Sequence, residues 1–164
     1  MKCTKDERRQ ELLKTASEVI LEYGIQKTTL DDIARRAGMA KTSLYYYFKE
    51  KDEIVRAIIR NVMEDLLASM RQAAEAGDTS EEKLCGLIEA RYRYIATASS
   101  RATKEILQEF RSFSGLYARD LEYYQRVQRG MIEDIFRQGI GRGELRPVGD
   151  IELLALIIFS AMIG

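Results

Sequence analysis

Apolar residues recur at helical spacing along the chain, and the clearest pattern lies between residues 28 and 48. A narrow stripe at positions i, i+3, i+4 and i+7 predicts a short helix; it consists of Leu30, Ile33, Ala34 and Ala37. Thr29 and Asp32 form an acidic variant of the capping box, which places the start of this helix. Gly38 follows the stripe, where a left-handed residue commonly ends a helix. The chain is therefore expected to turn at Gly38.

A second short helix is predicted directly after this turn. Leu44 and Phe48 are four residues apart, so they share one side of the helix, and that side must face a core. The opposite side carries hydroxyls, aromatic rings and a lysine: Lys41, Thr42, Ser43, Tyr45, Tyr46 and Tyr47. Two short helices, a glycine turn and a polar outer face predict a helix-turn-helix, whose second helix enters the major groove of DNA. The alternative is a small core hairpin without a partner.

The stretch TTLDDIARRAGMAKTSLYYYFKEKDEI closely resembles the DNA-binding signature of the TetR family of bacterial regulators. The resemblance extends from a helix near Thr4 to Tyr23 through to a long helix from near Asp52. It covers about the first 70 residues, and the remainder is similar to the family in layout only. It implies a transcriptional regulator, most often a repressor, that binds palindromic operator DNA as a dimer and is released by a small-molecule effector.

The resemblance and the helix geometry together give a set of candidate DNA contacts: Thr28, Thr29, Lys41, Thr42, Ser43, Tyr45, Tyr46, Tyr47 and Lys51. Thr42 and Tyr46, opposite the buried Leu44, are expected to read base edges, and Tyr45 and Tyr47 to hold phosphates. In the family a lysine at the place of Lys51 also holds a phosphate. The alternative for Lys51 is an ordinary solvated side chain.

The remaining pattern predicts an all-α fold. Apolar faces indicate a first helix from Thr4 to Tyr23 and a long helix over about 52–76, and Thr79 with Glu82 caps a further helix. The expected organisation is a three-helix DNA-binding domain at 1–50, with its recognition stretch at 29–48, followed by a larger helical regulatory and dimerisation domain at 51–164. The glycines of GIGRGELRP are expected to end a helix, because no strand precedes them as a dinucleotide-binding loop requires.

The second half contains one arginine on an apolar helix face. Arg91 shares its face with Leu84, Leu87, Ile88, Tyr92 and Ile95, so it could bind an anionic ligand, extend to water or pair with a glutamate such as Glu105 or Glu109. In this fold, aromatic residues nearby could line an effector cavity, although core packing is the safer interpretation, because aromatic residues at helical spacing usually belong to a core. The pocket candidates are Arg91, Tyr92, Phe110, Phe113, Tyr117 and Tyr124.

The run IELLALIIFSAMIG is apolar at nearly every position and is capped by Asp150. As a helix it would span about 21 Å, too short for the roughly 30 Å core of a bilayer. A helix that is apolar on all sides must be covered, and a second copy of the chain could cover it, so a homodimer is expected. Family members usually continue beyond this helix, which leaves two alternatives open: residues after position 164 complete the interface, or the dimer is built with less.

Composition narrows the function further. Net charge is zero overall, but residues 1–60 hold 13 Lys and Arg against 10 Asp and Glu, and the remainder holds 13 against 16. The positive end carries the predicted helix-turn-helix. With two distant cysteines and no histidine, neither a zinc site nor a His-based catalytic group can be assembled, so no metal, cofactor or enzymatic activity is expected. The N-terminus lacks a signal peptide, which indicates the cytoplasm.

Two other classes of function remain open at this point. A helical enzyme would be revealed by turnover of a substrate. A ligand-independent DNA-binding or protein-interaction module would lack an effector that lowers affinity for DNA. For the expected regulator, the effector must have a higher affinity for the arrangement that cannot bind DNA than for the arrangement that can.

Overall fold

The computed structural model describes residues 4–97 and 114–163, with side chains omitted for 114–118. Every regular element in these ranges is an α-helix, which confirms the predicted all-α class. The helices are α1 (Lys5–Tyr23), α2 (Leu30–Arg36), α3 (Lys41–Tyr47), α4 (Lys51–Glu75), α5 (Ser80–Thr97), α6 (Ser114–Gly141) and α7 (Ile151–Ile163). Phe110, Phe113, Glu105 and Glu109, named from the sequence, lie outside the described residues.

The described residues fall into two compact units. The first contains residues 4–62, and the second contains residues 63–97 and 115–163. The division falls within α4, about three turns beyond the domain boundary expected at residue 50, and that boundary remains a prediction.

In the first unit, local sequence signals place the helix ends. Thr4 and Glu7 form the capping box of α1, and Thr29 and Asp32 form that of α2. Gly38 has φ +64°, a left-handed conformation that glycine adopts with little steric cost, so the chain turns there as predicted. Apolar side chains from all four helices form the core of this unit: Leu12, Leu13, Ala16, Val19, Ile20, Ile33, Ala34, Leu44, Phe48, Ile54, Val55, Ile58 and Ile59.

In the second unit, α4 and α5 approach closely. A Cβ on Gly86 of α5 would lie 2.7 Å from the carbonyl oxygen of Ala73 on α4, so only glycine allows this packing distance. The start of α5 is capped from a distance, because Glu144 Oε2 accepts bonds from the amide and the hydroxyl of Ser80, at 2.7 and 2.6 Å. The predicted local capping box is present as well, with the Glu82 amide donating to Thr79 Oγ1.

The glycines of GIGRGELRP end α6 as predicted, because the helix stops at Gly141 and Gly143 follows with φ +73°. Gly139 lies inside the helix and is a packing residue, since an added Cβ would collide with Ser80. Among the described side chains of α6, those of Tyr124, Gln128, Ile132 and Ile135 are buried. The apolar spacing of this helix predicts a face of Leu121, Tyr124, Val127, Met131, Ile135 and Ile140. The structure buries Tyr124 and Ile135 of that set and leaves the other four half-buried. Several apolar residues lie on each side of this helix, so periodicity alone did not select the buried stripe.

Candidate nucleic-acid interface

The face of α3 that points away from the core carries the exposed polar and aromatic side chains. Leu44 and Phe48 are completely buried, as predicted from their spacing. On the outer side Tyr46 is 68% exposed and Tyr45 is 43% exposed, and Lys41, Thr42 and Ser43 are exposed as well. Tyr47 is half-buried, and its ring meets that of Tyr46 edge to face, with 5.2 Å between the centroids. The surface therefore combines hydroxyls and aromatic rings on a rigid, core-anchored helix.

Ion pairs fix α3 and α1 against α2. The ammonium of Lys41 donates to Asp31 Oδ2 at 2.7 Å, and this hydrogen bond raises the pKa of Lys41. Arg36 of α2 binds the carboxylate of Glu22 at the end of α1, which lowers the pKa of Glu22. Both pairs are exposed, so each stabilises the arrangement only modestly. The buried core accounts for most of the stability of this unit, and the two ion pairs contribute mainly to the orientation of α1 and α3 relative to α2.

The hydroxyls of two candidate threonines, Thr28 and Thr29, form hydrogen bonds within the protein. Thr29 caps α2 together with Asp32, and the Thr29 hydroxyl is the main cause of the lowered pKa of Asp32. Thr28 is 1% exposed, and its hydroxyl donates to the Gly24 carbonyl at 2.8 Å. A buried and bonded hydroxyl cannot reach DNA in this conformation, so we leave Thr28 out of the contact set proposed below.

The ammonium of Lys51 is bound to the backbone of the loop between α1 and α2. It donates to the carbonyl oxygens of Ile25 and Gln26, at 2.9 and 3.3 Å. Lys51 is half-buried at the start of α4. An ammonium has three N–H donors, so these two bonds leave one donor for another acceptor.

The structure adds a basic residue that the sequence pattern did not single out. The ammonium of Lys5, the first residue of α1, lies 4.7 Å above the centroid of the Tyr46 ring. On α3 itself, the ammonium of Lys41 lies 6.0 Å from the Tyr45 ring centroid. No local motif relates α1 to α3, so only the packed unit reveals that Lys5 and Tyr46 share one surface.

The candidate effector region lies in the second unit and contains a buried polar pair. Arg91 is 9% exposed, and its Nη1 donates to Gln128 Oε1 at 2.6 Å. Gln128 is 4% exposed, and its amide nitrogen donates to the carbonyl oxygen of Tyr124 at 3.3 Å. The sequence pattern did not single out Gln128 as part of this region. Its position four residues after Tyr124 places it on the same helix face, and that spacing could have identified it.

The other pocket candidates have different environments. Tyr124 is buried, but Tyr92 is 51% exposed and reaches the carbonyl oxygen of Ala161 at 3.4 Å. The expected burial of Tyr92 is thus wrong, because the buried stripe of α5 is centred on Leu87, Ala90 and Arg91 and leaves Tyr92 at its edge. The side chain of Tyr117 lies outside the described residues.

Within the described residues, no helix is long and apolar enough to cross a bilayer, and no cluster of three or more potential metal ligands is present.

Two models of known protein families match this chain, one in each half. Residues 12–58 match the model of bacterial regulatory proteins of the tetR family, and residues 77–164 match that of the tetracyclin repressor-like C-terminal domain. The chain belongs to the TetR family. The predicted resemblance is confirmed, and so is the prediction of a transcriptional regulator.

Individual relatives agree with this membership. The HTH-type transcriptional repressor KstR2 of Mycolicibacterium smegmatis is 33% identical over 149 residues, which are 90% of this chain and 72% of KstR2. A TetR/AcrR regulator from Thermobifida fusca is 27% identical, with a TM-score of 0.78 over 96% of this chain and 82% of that one. FadR of Bacillus subtilis, solved with stearoyl-CoA, has a TM-score of 0.76 over 93% and 82% of the chains; at 24% identity it shows the shared fold only.

Proposed function

We propose that this TetR-family regulator is a repressor that binds a palindromic operator as a homodimer in the cytoplasm and is released by a small-molecule effector. The observation that carries the proposal is the outer face of α3, where Thr42, Tyr45 and Tyr46 are exposed while Leu44 and Phe48 anchor the helix from behind. A helix with this division can enter a major groove without disturbing its own core.

We assign base reading to Thr42 and Tyr46, which lie opposite Leu44. The DNA backbone is held by the residues around this pair: Thr29, Lys41, Ser43, Tyr45, Tyr47 and Lys51. Contacts to phosphate fix the register of the helix, and contacts to base edges give specificity.

The effector is proposed to bind the second unit near Arg91 and Tyr124. A guanidinium on an otherwise apolar face suits a ligand with an acid group. The structure of FadR with stearoyl-CoA supports the idea that this fold can hold a small molecule.

The dimer is proposed to form through α7. Leu153, Leu156 and Ile157 are 52, 40 and 57% exposed, while Ala155, Phe159 and Met162 on the other side are buried. An exposed apolar face on one helix suits a self-complementary contact between two copies about a two-fold axis.

Selection of bound duplexes from a random pool, with the full chain as bait, tests the proposal. A recovered palindrome supports both operator binding and the dimer. Replacing Tyr46 by Ala should then relax specificity at one operator position and cost roughly 1–3 kcal/mol. Enrichment of no sequence, or of sequences without two-fold symmetry, would contradict the proposal.

A ligand-independent DNA-binding or interaction module is the competing function. An effector that raises the melting temperature and also lowers operator affinity excludes it, since ligand binding to one state shifts the equilibrium only through a difference in affinity. An enzyme would instead be indicated by turnover of that ligand.

A further inference from the structure

The contact between Lys5 and Tyr46 joins the start of α1 to the most exposed ring of α3. The Lys5 ammonium lies 4.7 Å above the Tyr46 ring centroid, within the range of a cation–π interaction. Tyr46, at 68% exposure, is held by little else: its ring touches Tyr47 edge to face. An exposed tyrosine without such contacts would sample several rotamers and lose this freedom on binding.

Lys5 and Lys41 differ in the groups that their ammoniums contact. Lys41 is paired with Asp31 at 2.7 Å, so part of its positive charge is already neutralised. Lys5 forms no ion pair with a carboxylate in the part of the chain that the structure describes; its recorded contact is with the ring face. A ring face leaves an ammonium able to bind an anion on its other side.

We propose that Lys5 is a further DNA-contact residue, outside the helix-turn-helix, which binds a backbone phosphate beside the base pair that Tyr46 reads and holds the Tyr46 ring in its reading position. This inference rests on the proposed function and adds a specific partner to its surface. The phosphate would sit where the lysine and the exposed ring meet.

The two roles have separate experimental signatures. Binding a phosphate releases counterions, so removing the charge should lower the slope of log K against log salt by about 0.9. Holding the ring should make Lys5 and Tyr46 energetically coupled, by about two- to fivefold in affinity for an exposed cation–π pair.

The probe is the duplex recovered by selection, titrated with the 164-residue chain at several salt concentrations. Lys5→Gln should lower the salt slope by about 0.9, and Lys5→Arg should retain it. Lys14→Gln is the matched control, because Lys14 is exposed on α1 and lies nine residues on, half a turn away around the helix. It should bind like the original chain.

A double-mutant cycle tests the second role. Lys5→Gln should cost about two- to fivefold more affinity in the original chain than in Tyr46→Ala, whereas Tyr46→Phe keeps the ring and should preserve the coupling.

If the original chain binds the duplex but Lys5→Gln has the same slope and affinity as Lys14→Gln, the inference is wrong and the proposed function stands. Failure of the original chain to bind any duplex would overturn both. A lowered slope without coupling would overturn the positioning role, because the ring would then be held without Lys5.

Discussion

The Lys51 ammonium has two bonds to the α1–α2 loop and one donor left over. We therefore propose that Lys51 supports the α1–α2 loop in the free protein and also binds a phosphate in the complex. An exposed lysine that contacts only DNA would contribute to binding alone.

We predict that Lys51→Met lowers the free energy of unfolding by about 1 kcal/mol, through loss of bonds to the Ile25 and Gln26 carbonyls, and also lowers the salt slope of DNA binding by about 0.9. Urea denaturation and salt titrations of operator affinity measure the two effects. Lys49→Met, in the preceding loop, is the control. A full loss of stability with an unchanged slope would assign Lys51 to the loop only.

Arg91, in the second unit, is likewise a residue whose contribution to stability must be separated from a proposed contribution to binding. Its bond to Gln128 makes a buried polar pair, and removing one member leaves the other without that partner, at a cost of about 1–3 kcal/mol. Loss of fold and loss of ligand response must therefore be separated by changing both members.

We predict that Arg91→Met with Gln128→Met folds better than Arg91→Met alone, and that both lose the thermal shift caused by carboxylic acids while keeping that caused by the matched amides. A panel of such acid and amide pairs, screened by melting temperature, measures this; a ligand at 100 times its Kd stabilises by about 2.7 kcal/mol. A retained response to the acids would show that Arg91 is structural.

Glu144 provides a pH-dependent contribution to stability. Its bond from the Ser80 hydroxyl, with help from the Ser80 amide and Arg142, lowers the pKa of Glu144. A carboxylate with a lowered pKa in the folded state stabilises the protein at pH values above its unfolded pKa, and this contribution is lost as pH falls through the folded pKa.

We predict that Glu144→Gln is less stable than the original chain at neutral pH and that the difference shrinks in acid. Melting temperatures between neutral pH and the acid range of carboxyl titration measure it. Glu81→Gln, in the first turn of α5, controls for the loss of one negative charge. A difference that is the same at all pH values would contradict the role of the Glu144 charge.

At the scale of the elements, the packing of α4 against α5 depends on a glycine in the middle of a helix. Glycine is about 1 kcal/mol less favourable there than alanine, yet Gly86 leaves room for the carbonyl oxygen of Ala73. Gly130, in α6, has no atom within 4 Å of where a Cβ would stand. The same substitution should therefore have opposite effects at the two positions.

We predict that Gly86→Ala destabilises the protein by roughly 1–3 kcal/mol, because the helices must move apart, whereas Gly130→Ala is neutral or stabilises by up to about 1 kcal/mol. Chemical denaturation of the two variants decides the point, and each serves as the control for the other. Equal stabilisation by both would show that α5 can shift without cost.

At the scale of the whole molecule, assembly into a dimer is the least local property. The apolar side of α7 is exposed in a single chain, and a charge placed there meets water in a monomer but is buried in the proposed dimer. Because a two-fold interface contains each residue twice, one substitution introduces two charges.

We predict that Ile157→Glu raises the dimer dissociation constant by at least about a hundredfold, since each uncompensated buried charge costs about 3–5 kcal/mol. Analytical ultracentrifugation across a concentration series measures this. Val148→Glu, at another exposed apolar position outside the helices, should leave the dimer intact. Unchanged association of the Ile157 variant would place the interface elsewhere.

The sequence by itself determined the features that depend on neighbours within one or two helical turns. The capping boxes at Thr4 and Thr29, the turn at Gly38 and the burial of Leu44 and Phe48 all follow from spacing along one helix or one turn. Together these features define the helix-turn-helix. The helix-turn-helix identified the family, and the family indicated the kind of function.

Only the tertiary structure decided which side chains from distant segments meet. The contacts of Lys5 with Tyr46, of Arg91 with Gln128 and of Glu144 with Ser80 each join residues from different parts of the chain. Periodicity gives the face on which a residue lies, but not the partner opposite that face. The partner is set by how whole helices pack, because that packing depends on the combined burial of many side chains.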